Sequence, residues 1–185
     1  MMNRKEIAEW IEKMFFPSNT IILASIILLL SFRNDPSFMN SFIIFLLTLF
    51  PSYASIYVLK KYVKNVTTLY LMGTIIATLS FLLSLFFLTP FNELIYFAYS
   101  LFSTMLSFSL IRLKWKISGH VTVAAFTSTA LTLIYGNLLI FYALCPIIAW
   151  SRLELEAHSS AQIIIGAVLG LAIPIILFSM NSLYI

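Results

Sequence analysis

The chain has 185 residues, of which 61% are hydrophobic and 10% are charged, and its mean hydropathy is +1.01. A soluble globular domain carries about a quarter charged residues, so this composition excludes that class and predicts an all-α, polytopic membrane protein. The formal net charge of +4 lies in short loops between apolar segments, which predicts no nucleic-acid partner.

The first sixteen residues, MMNRKEIAEWIEKMFF, mix charges of both signs with apolar side chains. At helical spacing Ile7, Trp10, Ile11 and Phe15 share one side, and no small-residue cleavage site follows. We interpret residues 1–16 as an amphipathic helix at the membrane interface rather than a signal peptide. Residues 17–185 are expected to form one transmembrane domain.

Seven hydrophobic segments follow one another along the chain. They cover roughly 17–32, 39–59, 66–88, 91–111, 119–135, 138–151 and 160–180. Their length and apolarity predict membrane-spanning helices, with six or seven crossings. The sixth segment is short and contains Pro146, which predicts a thin or kinked element. In the last segment Gly166 and Gly170 are four residues apart, a spacing that allows close helix packing.

Counting crossings places three polar clusters on one membrane face. The tight turn at Gly136–Asn137 returns the sixth segment to the face where the fifth began, so both histidines, His120 and His158, are expected there. The clusters are Lys60, Lys61 and Lys64; Arg112 to His120; and Ser151 to His158.

Cations and hydroxyl groups at helix ends make a receptor for a tetrahedral oxyanion. Arg152 offers a rigid fork of donors and Lys116 a point charge. Ser118 and Gly119 lie at the predicted start of the fifth helix, where backbone N–H groups are free and the missing side chain of glycine admits a phosphate. Two histidines beside such a receptor suggest phosphoryl transfer.

These residues resemble the type 2 phosphatidic acid phosphatase family, which shares its core with vanadium haloperoxidases. That family carries K-x6-R-P, then P-S-G-H, then S-R-x5-H-x3-D. The second motif matches at Ile117–His120, with Ile in place of Pro, and the third at Ser151–Gln162, with Gln in place of Asp. The resemblance covers residues 91–180 and implies a six-helix membrane core, here with an extra N-terminal helix.

The resemblance also implies a role for each matched residue. His158 would be the nucleophile that becomes a phosphohistidine, and His120 the general acid for the leaving group. Ser118, Gly119 and Arg152 would bind the phosphate oxygens. No metal and no organic cofactor is implied.

The chain departs from the family in its first motif, because no K-x6-R-P occurs. Lys116 is the best candidate to replace the missing cations, with Arg112 or Lys114 helping. Lysine and arginine at helix ends also commonly anchor a protein at the membrane interface, which stays an alternative for these residues.

The second departure is Gln162. Its carbonyl group would fix the tautomer of His158 without supplying negative charge, so the nucleophile should be less strongly activated. Glu154 and Glu156 are near enough in sequence to help. We associate glutamine here with a polyprenyl- or dolichyl-diphosphate phosphatase-like branch.

The sequence therefore predicts a multi-pass phosphatase of the cell membrane that hydrolyses a lipid phosphate or isoprenoid diphosphate through a phosphohistidine. Two alternatives remain: a lipid phosphotransferase on the same fold, and a catalytically weak protein that binds or transports anionic lipid. The distribution of Lys and Arg slightly favours a cytoplasmic site, whereas sites of the resembled family commonly face outside.

Overall fold

The structure is a computed structural model, and it describes residues 3–36, 38–39, 42–43, 46–47, 58–59, 61–84, 93–136 and 138–181. Within these ranges the regular elements are helical and none is a strand, which confirms the all-α prediction for them. The hydrophobic segment 39–59 falls largely outside the described residues, as do Lys60 and Asn137. The helices are α1 (Arg4–Met14), α2 (Pro17–Phe32), α3 (Val66–Ser84), α4 (Glu93–Arg112), α5 (Gly119–Tyr135), a 3₁₀ helix (Leu139–Ala143), α6 (Leu144–Glu154) and α7 (Ser160–Asn181).

Several of these helices are suited to a lipid bilayer. Helix α4 and residues Ser160–Ser179 of α7 are each long and apolar enough to cross a membrane. Helices α1 and α2 meet at a bend of 47° and supply a third span if they act as one. The described residues thus indicate a membrane protein with two or three candidate spans by length and composition.

The chain divides into two compact units, one formed by Met1–Ile27 with Trp115–Ile185 and the other by Leu28–Lys114. In the second unit α3 packs against α4, and Thr74 Oγ1 donates a hydrogen bond to Ser109 Oγ at 2.6 Å. Such a bond between helices satisfies polar groups away from water. This unit carries Arg112 and Lys114.

Helix α5 is the centre of the first unit, because every residue from 121 to 131 is buried. Helix α7 packs closely on it through two glycines. A Cβ atom at Gly166 would lie 2.8 Å from the carbonyl oxygen of Ser118, and one at Gly170 would lie 2.8 Å from the backbone nitrogen of Phe126. The close packing predicted from the glycine spacing is present, and it brings the start of α7 to the start of α5.

Helix α1 belongs to the same core. Asn3 and Glu6 form a capping box that begins the helix, and Ile11 packs with a buried cluster from α5, α6 and α7. Ile7 and Trp10, predicted to share a side with Ile11, are 38% and 55% exposed, whereas Ile11 is 8% exposed. Ala8 and Ile11 therefore form the packed face, and Ile7 and Trp10 remain available to a membrane interface.

The sixth hydrophobic segment is divided rather than one straight helix. The 3₁₀ helix Leu139–Ala143 leads into α6, and Pro146 lies in the first turn of α6, where a missing N–H group removes no helical hydrogen bond. The 11 residues of α6 extend about 16 Å, roughly half the thickness of a hydrocarbon core. This short helix carries Ser151 and Arg152 in its last turn.

Candidate functional site

Two hydrogen bonds connect the segment before α5 with the loop between α6 and α7 and with the first turn of α7. Lys116 Nζ donates to the carbonyl oxygen of Ala157 at 3.1 Å, and the N–H of Ser118 donates to the carbonyl oxygen of Gln162 at 3.2 Å. Residues that are about forty positions apart in sequence are therefore neighbours in the first unit. We refer to Ser118, Gly119, His120, Arg152, His158 and Gln162 as the histidine site.

His158 has a defined orientation in the histidine site. Its Nδ1 lies 3.2 Å from Gln162 Oε1, and the backbone N–H of Ser159 donates to the same Oε1 at 3.2 Å. Since a side-chain carbonyl oxygen only accepts hydrogen bonds, Nδ1 must carry the proton. In the neutral ring Nε2 then carries the lone pair that a nucleophile needs, and Gln162 supplies no negative charge to the imidazole.

His120 lies in the first turn of α5, which is not among the candidate membrane spans, and meets the ring of Phe16 edge-on at 5.5 Å. Burial first, and then the charge of Arg152, lower the pKa of His120 from 6.5 to about 4; His158 adds to this effect and Glu12 opposes it. His120 is therefore neutral at pH 7. It can donate a proton only after an anion binds and raises its pKa.

Four buried polar atoms of the histidine site have no hydrogen-bond partner among the described residues: Ser118 Oγ, His120 Nε2, Arg152 Nε and Arg152 Nη1, the last of which forms only an ion pair with Glu12. Ser118 is the N-cap residue of α5, yet its side chain makes no capping bond. An unsatisfied buried polar group costs about 1–3 kcal/mol, and such groups in native structures point to a water, an ion or a catalytic role. The hydroxyls of Thr127 and Thr132, elsewhere on α5, are also without a partner.

The cations predicted to replace the missing first motif have different positions. Lys116 is exposed and bonded to Ala157, so two of its three ammonium hydrogens remain for a ligand. Arg112 ends α4 in the second unit, where its guanidinium lies 5.8 Å from the centre of the Phe108 ring. Lys114 is exposed in the turn after that helix.

Sequence reasoning missed Glu12, which enters the histidine site from α1. The carboxylate of Glu12 forms an ion pair with Arg152, which is 8% exposed. The available signal was helical spacing, because Glu12 follows the buried Ala8 by four residues and so shares its face.

The two glutamates near His158 in sequence face elsewhere. Glu154 pairs with Arg4 at 3.2 Å, and Glu156 is exposed, with a φ of 50°.

The histidine site thus combines an oriented imidazole, a neutral second imidazole, a buried guanidinium and a helix N-terminus. This donor set suits a tetrahedral oxyanion, and the oriented imidazole is suited to attack on phosphorus. No family model, no curated protein and no solved structure matches the chain.

Proposed function

We propose that this protein is a multi-pass phosphatase of the cell membrane that hydrolyses a lipid phosphate or isoprenoid diphosphate through a histidine nucleophile. Its core would be the six-helix type that the motif resemblance implies. The observation that carries the proposal is the set of buried polar atoms without a hydrogen-bond partner, among them Ser118 Oγ, His120 Nε2 and Arg152 Nε, in one site with the oriented His158.

In the first chemical step Nε2 of His158 attacks phosphorus and the bond from phosphorus to the leaving oxygen breaks. Protonated His120 gives its proton to that oxygen, so the lipid leaves as an alcohol, or as a phosphate monoester when the substrate is a diphosphate. Ser118 Oγ, the N–H of Gly119 and Arg152 Nε donate to the equatorial oxygens, where negative charge is concentrated.

In the second step water attacks the phosphohistidine. Neutral His120 takes a proton from the water as its oxygen bonds to phosphorus, and the bond from phosphorus to His158 breaks. Inorganic phosphate is released, and His120 is again protonated and His158 again neutral, as they were at the start of the first step.

A phosphate-release screen on purified protein in detergent tests the proposal. The substrates are phosphatidate, phosphatidylglycerophosphate, and polyprenyl mono- and diphosphates. We expect wild-type protein to release phosphate from at least one of them and the His158→Gln variant to release none. Glu156→Gln, an exposed change two residues earlier in the same loop, is the matched control and should behave like wild type.

Two observations favour a second candidate, a protein that only binds anionic lipid headgroups. His120 has a pKa of about 4, and Gln162 supplies no charge to His158. A binding protein would retain the same phosphate-containing lipids in a flotation or filter assay without releasing phosphate. Arg152→Gln would then reduce retention, whereas His158→Gln would change it little.

A further inference from the structure

Glu12 contacts Arg152 at one nitrogen of the guanidinium. Its Oε1 forms an ion pair with Nη1 that is not a hydrogen bond, and Arg152 Nε has neither an ion pair nor a hydrogen bond among the described residues. A guanidinium is planar, so a contact at one nitrogen limits the directions of all its N–H groups. The contact with Glu12 therefore aims the free Nε while leaving it open to a second anion.

The position of Glu12 is itself fixed by the packing of α1 against α6. The hydroxyl of Ser151, next to Arg152 in sequence, donates to the carbonyl oxygen of Ala8 at 2.8 Å. Arg4 pairs with Glu154 at 3.2 Å, about two turns of α1 before Glu12. Together with the buried Ile11, these contacts set the register of α1 on α6.

Glu12 also compensates the charge of the buried Arg152. Arg152 is a buried cation near the imidazole of His120, and the electrostatic influences on His120 come from Arg152, Glu12 and His158. Removing the partner of a buried charge leaves an uncompensated ion, which tends to draw in water or move away. Glu12 is the carboxylate that keeps Arg152 in place when no phosphate is bound.

Resting on the proposed function, we propose that Glu12 is a positioning residue for the phosphate site: it orients the Arg152 guanidinium so that Nε donates to a substrate oxygen. Helix α1 is then part of the active site rather than only an interfacial anchor. In the opposite role, Glu12 would occupy the place of the phosphate and compete with it. That role predicts that removing the Glu12 charge tightens the binding of a phosphate analogue, whereas a positioning role predicts weaker binding.

The test measures orthovanadate binding to the full chain in detergent, by competition against phosphate release. Glu12→Gln should bind vanadate roughly 10-fold more weakly, a loss like that of groups that orient ligands at metal sites. Glu9→Gln, an exposed glutamate on the same helix, is the matched control and should bind like wild type. Combining Glu12→Gln with Arg152→Lys should cost less than the product of the two single losses, because both act through one guanidinium.

The pH dependence of phosphate release is a second measurement. A purely structural role of Glu12 would leave this pH dependence unchanged. Because Glu12 opposes the lowering of the His120 pKa by burial, Arg152 and His158, its neutralisation should shift the alkaline limb of phosphate release to lower pH. Glu12→Asp keeps the charge at shorter reach and should keep the wild-type profile with an intermediate loss of binding. If Glu12→Gln does not fold, Glu12→Asp takes its place in the binding measurement.

Specific outcomes overturn the inference. Unchanged or tighter vanadate binding by Glu12→Gln contradicts positioning, as does a fully multiplicative loss in the double variant. If wild-type protein binds vanadate and releases phosphate while Glu12→Gln matches Glu9→Gln, only the role of Glu12 fails. If wild-type protein neither binds vanadate nor releases phosphate, the proposed function fails and this role with it.

Discussion

Lys116 Nζ donates a hydrogen bond at 3.1 Å to the carbonyl oxygen of Ala157, the residue before the proposed nucleophile. Lys116, which the sequence predicts to replace the cations of the missing motif, thus also connects the segment before α5 with the loop between α6 and α7. Its single bond to a carbonyl leaves ammonium hydrogens for a substrate oxygen. Both roles place Lys116 at the junction of α5 with the loop that carries His158.

Lys116→Ala should reduce phosphate release by about 10-fold or more, because a hydrogen bond from a charged group is worth about 1.5–3 kcal/mol. Lys116→Arg keeps the charge and should retain most of the activity. Lys13→Ala, an exposed lysine on α1, is the control. Full activity in Lys116→Ala would show that the site does not use this cation.

Gln162→Glu should accelerate phosphate release. A carboxylate at the position of Oε1, 3.2 Å from His158 Nδ1, stabilises the positive charge that the imidazole gains on attack. The reverse exchange in a serine protease triad costs about 10⁴-fold, which is an upper limit for the gain. Gln162→Leu removes the acceptor and should slow the reaction. Equal rates for the two variants would mean that this contact does not tune the nucleophile.

Gly170→Ala should destabilise the first unit by about 1–3 kcal/mol, the usual range for overpacking. The added Cβ would collide with backbone atoms of Thr122 and Phe126 on α5, where no flexible side chain can yield. Thermal unfolding in detergent measures the effect. Val168→Ala, at a position of α7 that is 52% exposed, is the matched control and should change the midpoint little. A midpoint for Gly170→Ala equal to that control would contradict the close contact.

The free energy of unfolding should decrease as the pH is lowered from about 6.5 to about 4, because of the lowered pKa of His120. The folded state holds the pKa of His120 at about 4, below its ordinary 6.5, so over this window the unfolded chain binds more protons. His120→Gln should show a shallower decline of the thermal midpoint over the same range. Identical pH dependence in both proteins would show that His120 does not charge on unfolding.

Much of the fold was predictable because hydrophobic length and turn residues are local signals. The predicted segments 17–32 and 119–135 coincide with α2 and α5, and the glycine pair of α7 lies at the α5 interface. The division of the sixth segment into a 3₁₀ helix and α6 was harder to foresee, since hydropathy does not report which helical geometry an apolar run adopts.

The meeting of the two motif segments followed from counting crossings, yet the contacts between them did not. Nothing in the sequence says that Lys116 bonds to a carbonyl oxygen, or that Glu12 crosses to Arg152. Charges on an amphipathic helix ordinarily face water, so a long-range ion pair has no local signature. Tertiary packing of α1 on α6 determined it.

The most direct test of the account is to find the phosphorylated residue. Protein mixed briefly with a substrate from the screen is denatured at alkaline pH, which preserves phosphohistidine, and digested with trypsin. Cleavage after Lys116 and Arg152 separates the two histidines, leaving His120 in residues 117–152 and His158 in residues 153–185. We predict a mass increase of one HPO₃ group on residues 153–185, lost in His158→Gln. Phosphate release without this adduct in wild-type protein, or with an adduct on residues 117–152, would contradict the assignment of His158 as nucleophile.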